Sequence, residues 1–281
     1  MNDGKHAHRN QRGFTLVELI MVIVIMGVIG GVVSVFMRGP IDAYLAGGRR
    51  AALTDVADTT ARRIARDLHR ALPNSVRSPN ASCLEFIPTK TGGRYRAEGP
   101  GALNFDLPAA ASFNMLGDST QFNGTALPLD QAIAVGDLIV VYNQGPGSGA
   151  DAYAGDTYSP VTSVGAVSGG ETPIGITPKQ FPMASGSSRF HVVPSNEKLV
   201  SYVCSGSNLY RTVGNVLSTT PSCAATGPII ATNVNCTTTS FSYSGPDLLR
   251  NALVTMVLNI QDSASIETVR LQQEVHVDSS P

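Results

Sequence analysis

Residues 12–37 read RGFTLVELIMVIVIMGVIGGVVSVFM, and this stretch decides the architecture of the chain. From Phe14 to Met37 there are twenty-four residues, and Glu18 is the single ionisable one among them. A helix of that length, rising about 1.5 Å per residue, can cross a hydrocarbon core about 30 Å thick. The sequence therefore predicts one membrane-spanning helix over residues 14–37.

The segment before the span predicts its orientation. Residues 1–13 carry Lys5, Arg9 and Arg12 against Asp3, and such basic flanks stay on the cytoplasmic side. Three arginines beyond the span weaken this signal without reversing it. An ordinary secretory signal has a shorter apolar core with a small-residue cleavage site after it, and this segment has neither feature. We expect a single pass through the inner membrane, with residues beyond it in the periplasm.

Glu18 is the anomaly of the apolar run. A carboxylate inside the hydrocarbon region costs at least about 2.5–3.5 kcal/mol and is tolerated where a partner reaches it. The sequence thus predicts that another group pairs with Glu18.

Residues Arg12-Gly13-Phe14-Thr15-Leu16-Val17-Glu18 resemble the class III signal of type IV prepilins and type II secretion pseudopilins. The resemblance implies that a prepilin peptidase removes residues 1–13 by cutting between Gly13 and Phe14, and that it N-methylates Phe14. It also implies that Glu18 pairs with the freed amine of a neighbouring major or minor pilin during assembly. Gly27 and Gly31 form a GxxxG that would let helices pack closely, although glycine is also common in membrane helices generally.

Residues 38–73 predict an amphipathic juxtamembrane helix. Apolar residues recur at three- and four-residue spacing, and acids and arginines fall largely on the other face. Asp58 and Arg62 are four residues apart and can support the helix. Gly39-Pro40 and Gly47-Gly48 predict a bend, and Pro73-Asn74 predicts the helix end.

Residues 74–281 predict a β-rich antiparallel head, so the fold class is α+β. Short β-prone runs alternate with Gly, Pro, Ser and Asn, and residues 198–213 read as a hairpin. We expect long surface loops over residues 143–188, which are rich in Gly and Ser. The expected strands are 83–87, 137–142, 189–193, 198–204, 208–213, 238–243, 252–260 and 267–277.

The four cysteines predict disulfides in an exported head. Cys83, Cys204, Cys223 and Cys236 contain no CxxC pair and no histidine at zinc-ligand spacing, so we expect no metal site from them. Four cysteines allow three pairings. We favour Cys204 with Cys223, closing a loop after the hairpin, which leaves Cys83 with Cys236; four free thiols are the alternative if the head stayed cytoplasmic.

Patches of the head are similar to the O-type minor pilin of the mannose-sensitive haemagglutinin (MSHA) pilus. The W-type minor pilins and the J-type pseudopilin of type II secretion share the plan of a long helix and a β-rich head. The similar patches are residues 71–75 (ALPNS), 83–88 (CLEFIP), 93–96 (GRYR), 136–143 (GDLIVVYN), 200–204 (VSYVC) and 241–243 (FSY).

The residues supply no set that predicts enzymatic chemistry or a cofactor. The Gly-rich run 145–149 lacks the Lys-Ser/Thr of a P-loop, and the near-neutral charge gives no field for nucleic acid. Asp151 and Asp156 could hold calcium in a loop, but a solvated loop fits them better because the EF-hand spacing is missing. We therefore expect a minor pilin-like subunit of an MSHA-like pilus. The alternatives are a J-type pseudopilin and a membrane-tethered adhesin or ligand-binding head.

Overall fold

The computed structural model describes residues 13–128, 130–245, 252–263 and 267–279. The chain divides into two compact units, the first ending at Ala51 and the second beginning at Ala52. One α-helix, α1, extends over Leu16–Leu68. The strands of the described residues are β1 Arg77–Asn80, β2 Cys83–Phe86, β3 Thr91–Tyr95, β4 Ala110–Leu116, β5 Gln121–Phe122, β6 Thr125–Ala126, β7 Leu138–Val140, β8 Tyr158–Val164, β9 Glu171–Lys179, β10 Arg189–Val193, β11 Leu199–Ser205, β12 Asn208–Gly214, β13 Ile229–Thr232, β14 Ser240–Ser244, β15 Ala252–Gln261 and β16 Thr268–Val277.

This architecture confirms the α+β class, with a long amino-terminal helix and an antiparallel β-rich head. Each of the eight strands expected from the sequence is present, with ends within two residues of those predicted. The β11–β12 hairpin is confirmed as well, and it turns at Gly206, whose φ is +61°. Glycine adopts that conformation without the steric cost that a Cβ atom brings.

Helix α1 is continuous through the glycine and proline residues at which the sequence predicts a bend. Residues Gly39-Pro40 and Gly47-Gly48 are all helical, so none of them ends α1. Proline removes one backbone hydrogen bond, and the hydrogen bonds of the flanking turns hold the helix around it. The α-helix ends at Leu68, five residues before Pro73, because the chain tightens into turns there: Ala71 N–H donates to Leu68 O (3.0 Å).

About the last three turns of α1 lie in the main core of the head. Their buried residues recur at three- and four-residue spacing and face two sheets, β14-β15-β16 and β1-β2-β11-β12-β13. Three of them are alanines, which allow a sheet to approach the helix closely. The apolar residue Val56, just before this buried face, is 39% exposed. The buried helix residues are Ala57, Thr60, Ala61, Ile64, Ala65 and Leu68.

Strands β10-β3-β4-β9-β8-β7 form a closed barrel, built from the middle part of the head's sequence. Its interior is filled with apolar side chains, including Phe113 and Phe190, whose rings meet edge to face at 5.3 Å. The expectation of long surface loops over residues 143–188 was wrong for the part that forms β8 and β9, whereas residues 143–157 and 180–188 contain no strand or helix. Inward residues such as Val161, Ile174 and Ile176 alternate with glycine, proline and polar residues, which masked the strand pattern.

The five-stranded sheet is covered on both faces, and this determines the disulfide pairing. On β11, Cys204 faces the core that contains α1, whereas Cys83 on β2 is paired with Val203 and therefore lies on the opposite, outer face. The outer face is crossed by residues 215–224, here called the strap.

The disulfide pairing favoured from the sequence was wrong. Cys83 bonds to Cys223 of the strap, here called the outer bridge, and Cys204 bonds to Cys236, here called the inner bridge. A Cys204–Cys223 bond would have to pass through the sheet, since the two residues lie on opposite faces of it.

Candidate functional site

The amino-terminal end of α1 holds the residues that the sequence singled out for processing and assembly. Gly13, Phe14 and Thr15 precede the helix in non-helical conformation, and α1 begins at Leu16. Phe14 is 82% exposed, so the bond between Gly13 and Phe14 lies on an accessible stretch of chain.

Thr15 caps the helix and places Glu18 in its first turn. The Glu18 backbone N–H donates to Thr15 Oγ1 at 3.3 Å, and the Leu19 N–H donates to Thr15 O at 3.2 Å. A threonine followed three residues later by glutamate is the capping-box pattern, which satisfies amide groups that have no partner in a helix start. A carboxylate in the first turn also complements the positive end of the helix dipole. The first turn of α1 therefore presents an exposed carboxylate close to the chain start that processing would create.

The rest of the first half of α1 is apolar and exposed. None of its most apolar stretch is buried by the chain's own residues. Within the described residues this is the one helix long and apolar enough to cross a membrane. A soluble helix would not leave so many large side chains in water, so lipid or neighbouring helices are the environment that fits this surface.

Gly27 and Gly31 lie on an open surface of the same helix. A Cβ atom added at either position, or at Gly30, would meet nothing within 4 Å. The chain's own packing therefore does not require glycine at these positions. At 100° per residue, Gly27 lies about 180° around the helix from Glu18, so the carboxylate and the glycines are on opposite faces.

The head contains buried ion pairs that the sequence analysis did not find. Glu85 is fully buried, and its carboxylate accepts from Arg77 Nε at 2.6 Å, Ser222 N–H at 2.8 Å and Ser201 Oγ at 3.1 Å. The Arg77 guanidinium also lies 3.6 Å from the centre of the Tyr153 ring. This cluster joins β1, β2, β11 and the strap to a loop beside the barrel.

A second ion pair connects the end of α1 to the five-stranded sheet. Asp67 accepts from Arg211 Nε at 2.8 Å and from Tyr202 Oη at 2.7 Å, and Arg211 also pairs with Glu197. Burial, together with the Asp67 carboxylate, raises the pKa of Tyr202. Burial lowers the pKa of Arg211, but Asp67 and Glu197 outweigh it, so that pKa is raised overall. No spacing rule would have matched Asp67 with Arg211, because 144 residues separate them.

The loop of Asp151 and Asp156, considered above as a calcium site, uses both carboxylates in hydrogen bonds within the loop. Asp151 Oδ1 accepts the Tyr153 N–H at 2.8 Å, and Asp156 Oδ2 accepts the Asp151 N–H at 3.2 Å. The Lys179 ammonium donates to Gly155 O at 2.7 Å. Across the described residues, no group of three or more His, Cys, Asp or Glu side chains could hold a metal ion.

Comparison with known proteins supports the reading of the amino terminus. Residues 8–34 match the family described as the prokaryotic N-terminal methylation motif, the class III signal of type IV prepilin-like proteins. The match supports a type IV pilin-like or pseudopilin-like protein that is anchored in a membrane by α1, and it implies processing by a prepilin peptidase. No curated protein and no solved structure matches the chain.

Proposed function

We propose that this chain is a minor subunit of an MSHA-like type IV pilus, or that it initiates assembly of one. In this proposal a prepilin peptidase removes residues 1–13 and methylates Phe14, the head lies in the periplasm, and the subunit then leaves the inner membrane within the filament. It acts by assembly and carries no catalytic activity. The observation that carries the proposal is the exposed carboxylate of Glu18, placed by the Thr15 cap in an otherwise apolar, exposed helix.

The energetics of Glu18 favour an assembly role. At membrane depth a carboxylate without a partner costs at least about 2.5–3.5 kcal/mol. The cleavage between Gly13 and Phe14 would create a cation, the methylated amine, about one helical turn away from it. A neighbouring chain at a suitable axial offset brings its own amine to that depth, and the pairing then offsets the cost.

The two opposite faces of α1 favour an open filament over a closed pair. One face presents Glu18 and the other presents Gly27 and Gly31, so a chain can contact different neighbours on its two sides. Contacts between unlike surfaces generate rings or helical filaments, whereas a symmetric dimer uses the same surface on both chains.

The head favours a minor subunit. A complete barrel, residues 91–193, lies between the strands that pack on α1, which makes the head larger than a minimal filament subunit requires. The similar patches at residues 83–88 and 136–143 support the O-type MSHA assignment. The J-type pseudopilin of type II secretion is the second candidate because it shares the same plan.

The proposal is tested by Glu18→Ala in cells that assemble the filament. We expect the variant to insert in the membrane and to be cleaved, but to accumulate there without crosslinking to other pilins. Pilus number should fall accordingly. Glu18→Asp keeps the charge and should retain part of the crosslinking, and Val28→Ile, which lies on neither of the two faces, should behave as the unmodified chain.

Two outcomes would contradict the proposal. Normal crosslinking and normal piliation in the Glu18→Ala strain would show that the carboxylate does not select an assembly partner, and a tethered adhesin would then explain the anchor better. Crosslinking to components of a type II secretion system, in place of pilus subunits, would identify a pseudopilin.

A further inference from the structure

The two bridges of the head are interleaved along the chain. In order of sequence the cysteines are Cys83, Cys204, Cys223 and Cys236, and the native bonds join the first to the third and the second to the fourth. We infer that this head needs a periplasmic thiol–disulfide isomerase as a partner in its biogenesis. The inference rests on the export of the head in the proposed function, and it adds a partner that the filament assignment does not contain.

Loop closure favours the wrong bonds before the head has folded. The native outer bridge closes a separation of 140 residues, and the inner bridge one of 32 residues. Cys223 and Cys236 are only 13 residues apart, and Cys204 and Cys223 only 19. Since closure probability falls as about the 3/2 power of loop length, Cys223 meets Cys236 roughly 35 times more readily than it meets Cys83.

The order in which the cysteines enter the periplasm also favours a wrong bond. The first two to arrive are Cys83 and Cys204, so an oxidase acting on the emerging chain would join these two. In the folded head they lie near one another, since the Cys204 N–H donates to Ser82 O at 2.9 Å. Their side chains nevertheless face opposite sides of the sheet, so this bond is incompatible with the pairing of β2 and β11.

A chain with a misplaced bond must therefore rearrange its disulfides before the head can reach the folded structure. In the native head Cys83 is fully buried and Cys204 is 5% exposed, so a misplaced bond must be exchanged before the sheet and strap close over it. Thiolate access controls the rate of exchange, and burial removes that access.

The exchange itself needs no net oxidant. An isomerase thiolate attacks Cys223 in a Cys223–Cys236 bond, which forms a mixed disulfide and releases the Cys236 thiolate. The Cys83 thiolate then attacks the Cys223 sulfur, forms the outer bridge and releases the isomerase thiolate. The remaining Cys204 and Cys236 thiols are oxidised by a dithiol oxidase, whose own disulfide accepts the two electrons and two protons.

The test is to map the bridges of the full chain produced in two host strains, with and without the periplasmic disulfide isomerase. Peptides released under non-reducing conditions report each bond directly. We expect both native bridges in the first strain. In the second, the native fraction should fall several-fold, with Cys223–Cys236, Cys204–Cys223 or Cys83–Cys204 bonds in its place.

Two variants separate interleaving from a general need for a folding helper. Cys204→Ala with Cys236→Ala leaves a single possible bond, the outer bridge, and Cys83→Ala with Cys223→Ala leaves the inner bridge alone. With one bond possible, each variant should form it equally in both strains. Bond formation is scored per chain, so the comparison holds even where a variant accumulates poorly.

The outcomes distinguish the inference from the function on which it rests. Equal native bridging of the unmodified chain in both strains would overturn the isomerase requirement alone. Isomerase dependence in the two single-bridge variants would overturn it too, since nothing in them can be interleaved. Four free thiols in every strain would overturn export, and the inference with it.

Discussion

Removing the buried carboxylate of Glu85 should be among the most damaging single changes in the head. Glu85 is fully buried and accepts hydrogen bonds from Arg77, Ser201 and Ser222. Glu85→Leu would leave the Arg77 guanidinium without its counter-ion, at a side-chain exposure of 13%, and the Ser222 N–H without its acceptor. Breaking a buried ion pair from one side costs about 3–5 kcal/mol.

Glu85→Gln separates the charge from the hydrogen bonds. Its amide oxygen in the place of Oε2 can still accept from Ser201 Oγ and the Ser222 N–H, while Arg77 loses its counter-ion, so its effect should lie between that of the unmodified chain and that of Glu85→Leu. The exposed pair of Asp58 and Arg62, with side-chain exposures of 45% and 75%, provides the control. Asp58→Asn should cost less than about 1 kcal/mol because water screens that pair.

The measurement is thermal unfolding of the full chain in detergent micelles, followed by tyrosine circular dichroism because the chain has no tryptophan. For a unit of this size each kcal/mol shifts Tm by about 2–4 °C, so Glu85→Leu should lower Tm by about 6–20 °C. A shift no larger than that of Asp58→Asn would refute the reasoning that this pair holds the strap to the sheet.

Three further predictions concern processing, the bridges and pH. Gly13→Leu should block cleavage, and intact mass of the membrane-stage protein should then retain residues 1–13, whereas the unmodified chain should begin at an N-methylated Phe14. Replacing both cysteines of the outer bridge by alanine should lower unfolding free energy by about 5 kcal/mol and replacing those of the inner bridge by about 4, because the outer bridge closes the longer loop; equal effects in denaturant titrations would contradict this. Burial lowers the pKa of His191 below its ordinary value of 6.5, so as the pH falls the unfolded chain is protonated before the folded chain. The neutral, buried His191 side chain therefore contributes its full stabilisation above pH 6.5. That contribution is lost as the pH falls from 6.5 toward the lowered pKa. His191→Gln should flatten the plot of unfolding free energy against pH in that range, and an unchanged slope would contradict the assignment of this pH dependence to His191.

The strands that could be predicted are either short continuous apolar runs, such as β7 and β11, or runs whose side chains alternate between buried and exposed. In β16, Val275 and Val277 are buried while Glu274 and His276 are exposed, and this period of two is visible in the sequence. Of the barrel strands, β7 and β10 were predicted, but β3, β8 and β9 were hidden, because β3 contains Gly92 and Gly93 and the runs that form β8 and β9 contain prolines. Such residues are ordinarily signs of loops. In the closed barrel those strands have hydrogen-bonded neighbours on both sides, and no local sequence pattern indicates this closure.

The disulfide pairing likewise could not be predicted from local sequence and depends on strand register. The expected loop after the hairpin favoured Cys204 with Cys223, but the register of β2 against β11 sends Cys83 and Cys204 to opposite faces. The clusters around Glu85 and Asp67 depend in the same way on chain segments that are far apart in sequence.

The sequence by itself determined the long apolar amino-terminal helix with Glu18 near its start, the prepilin-like signal and the β-rich character of the head. These are properties of contiguous residues, whose hydropathy, spacing and caps act within a few turns of chain. Only the tertiary structure decided the barrel, the strap, the partners of the four cysteines and the burial of Glu85. Each of those depends on which face of which strand meets a distant segment, and that is set by strand register and sheet closure in the folded chain.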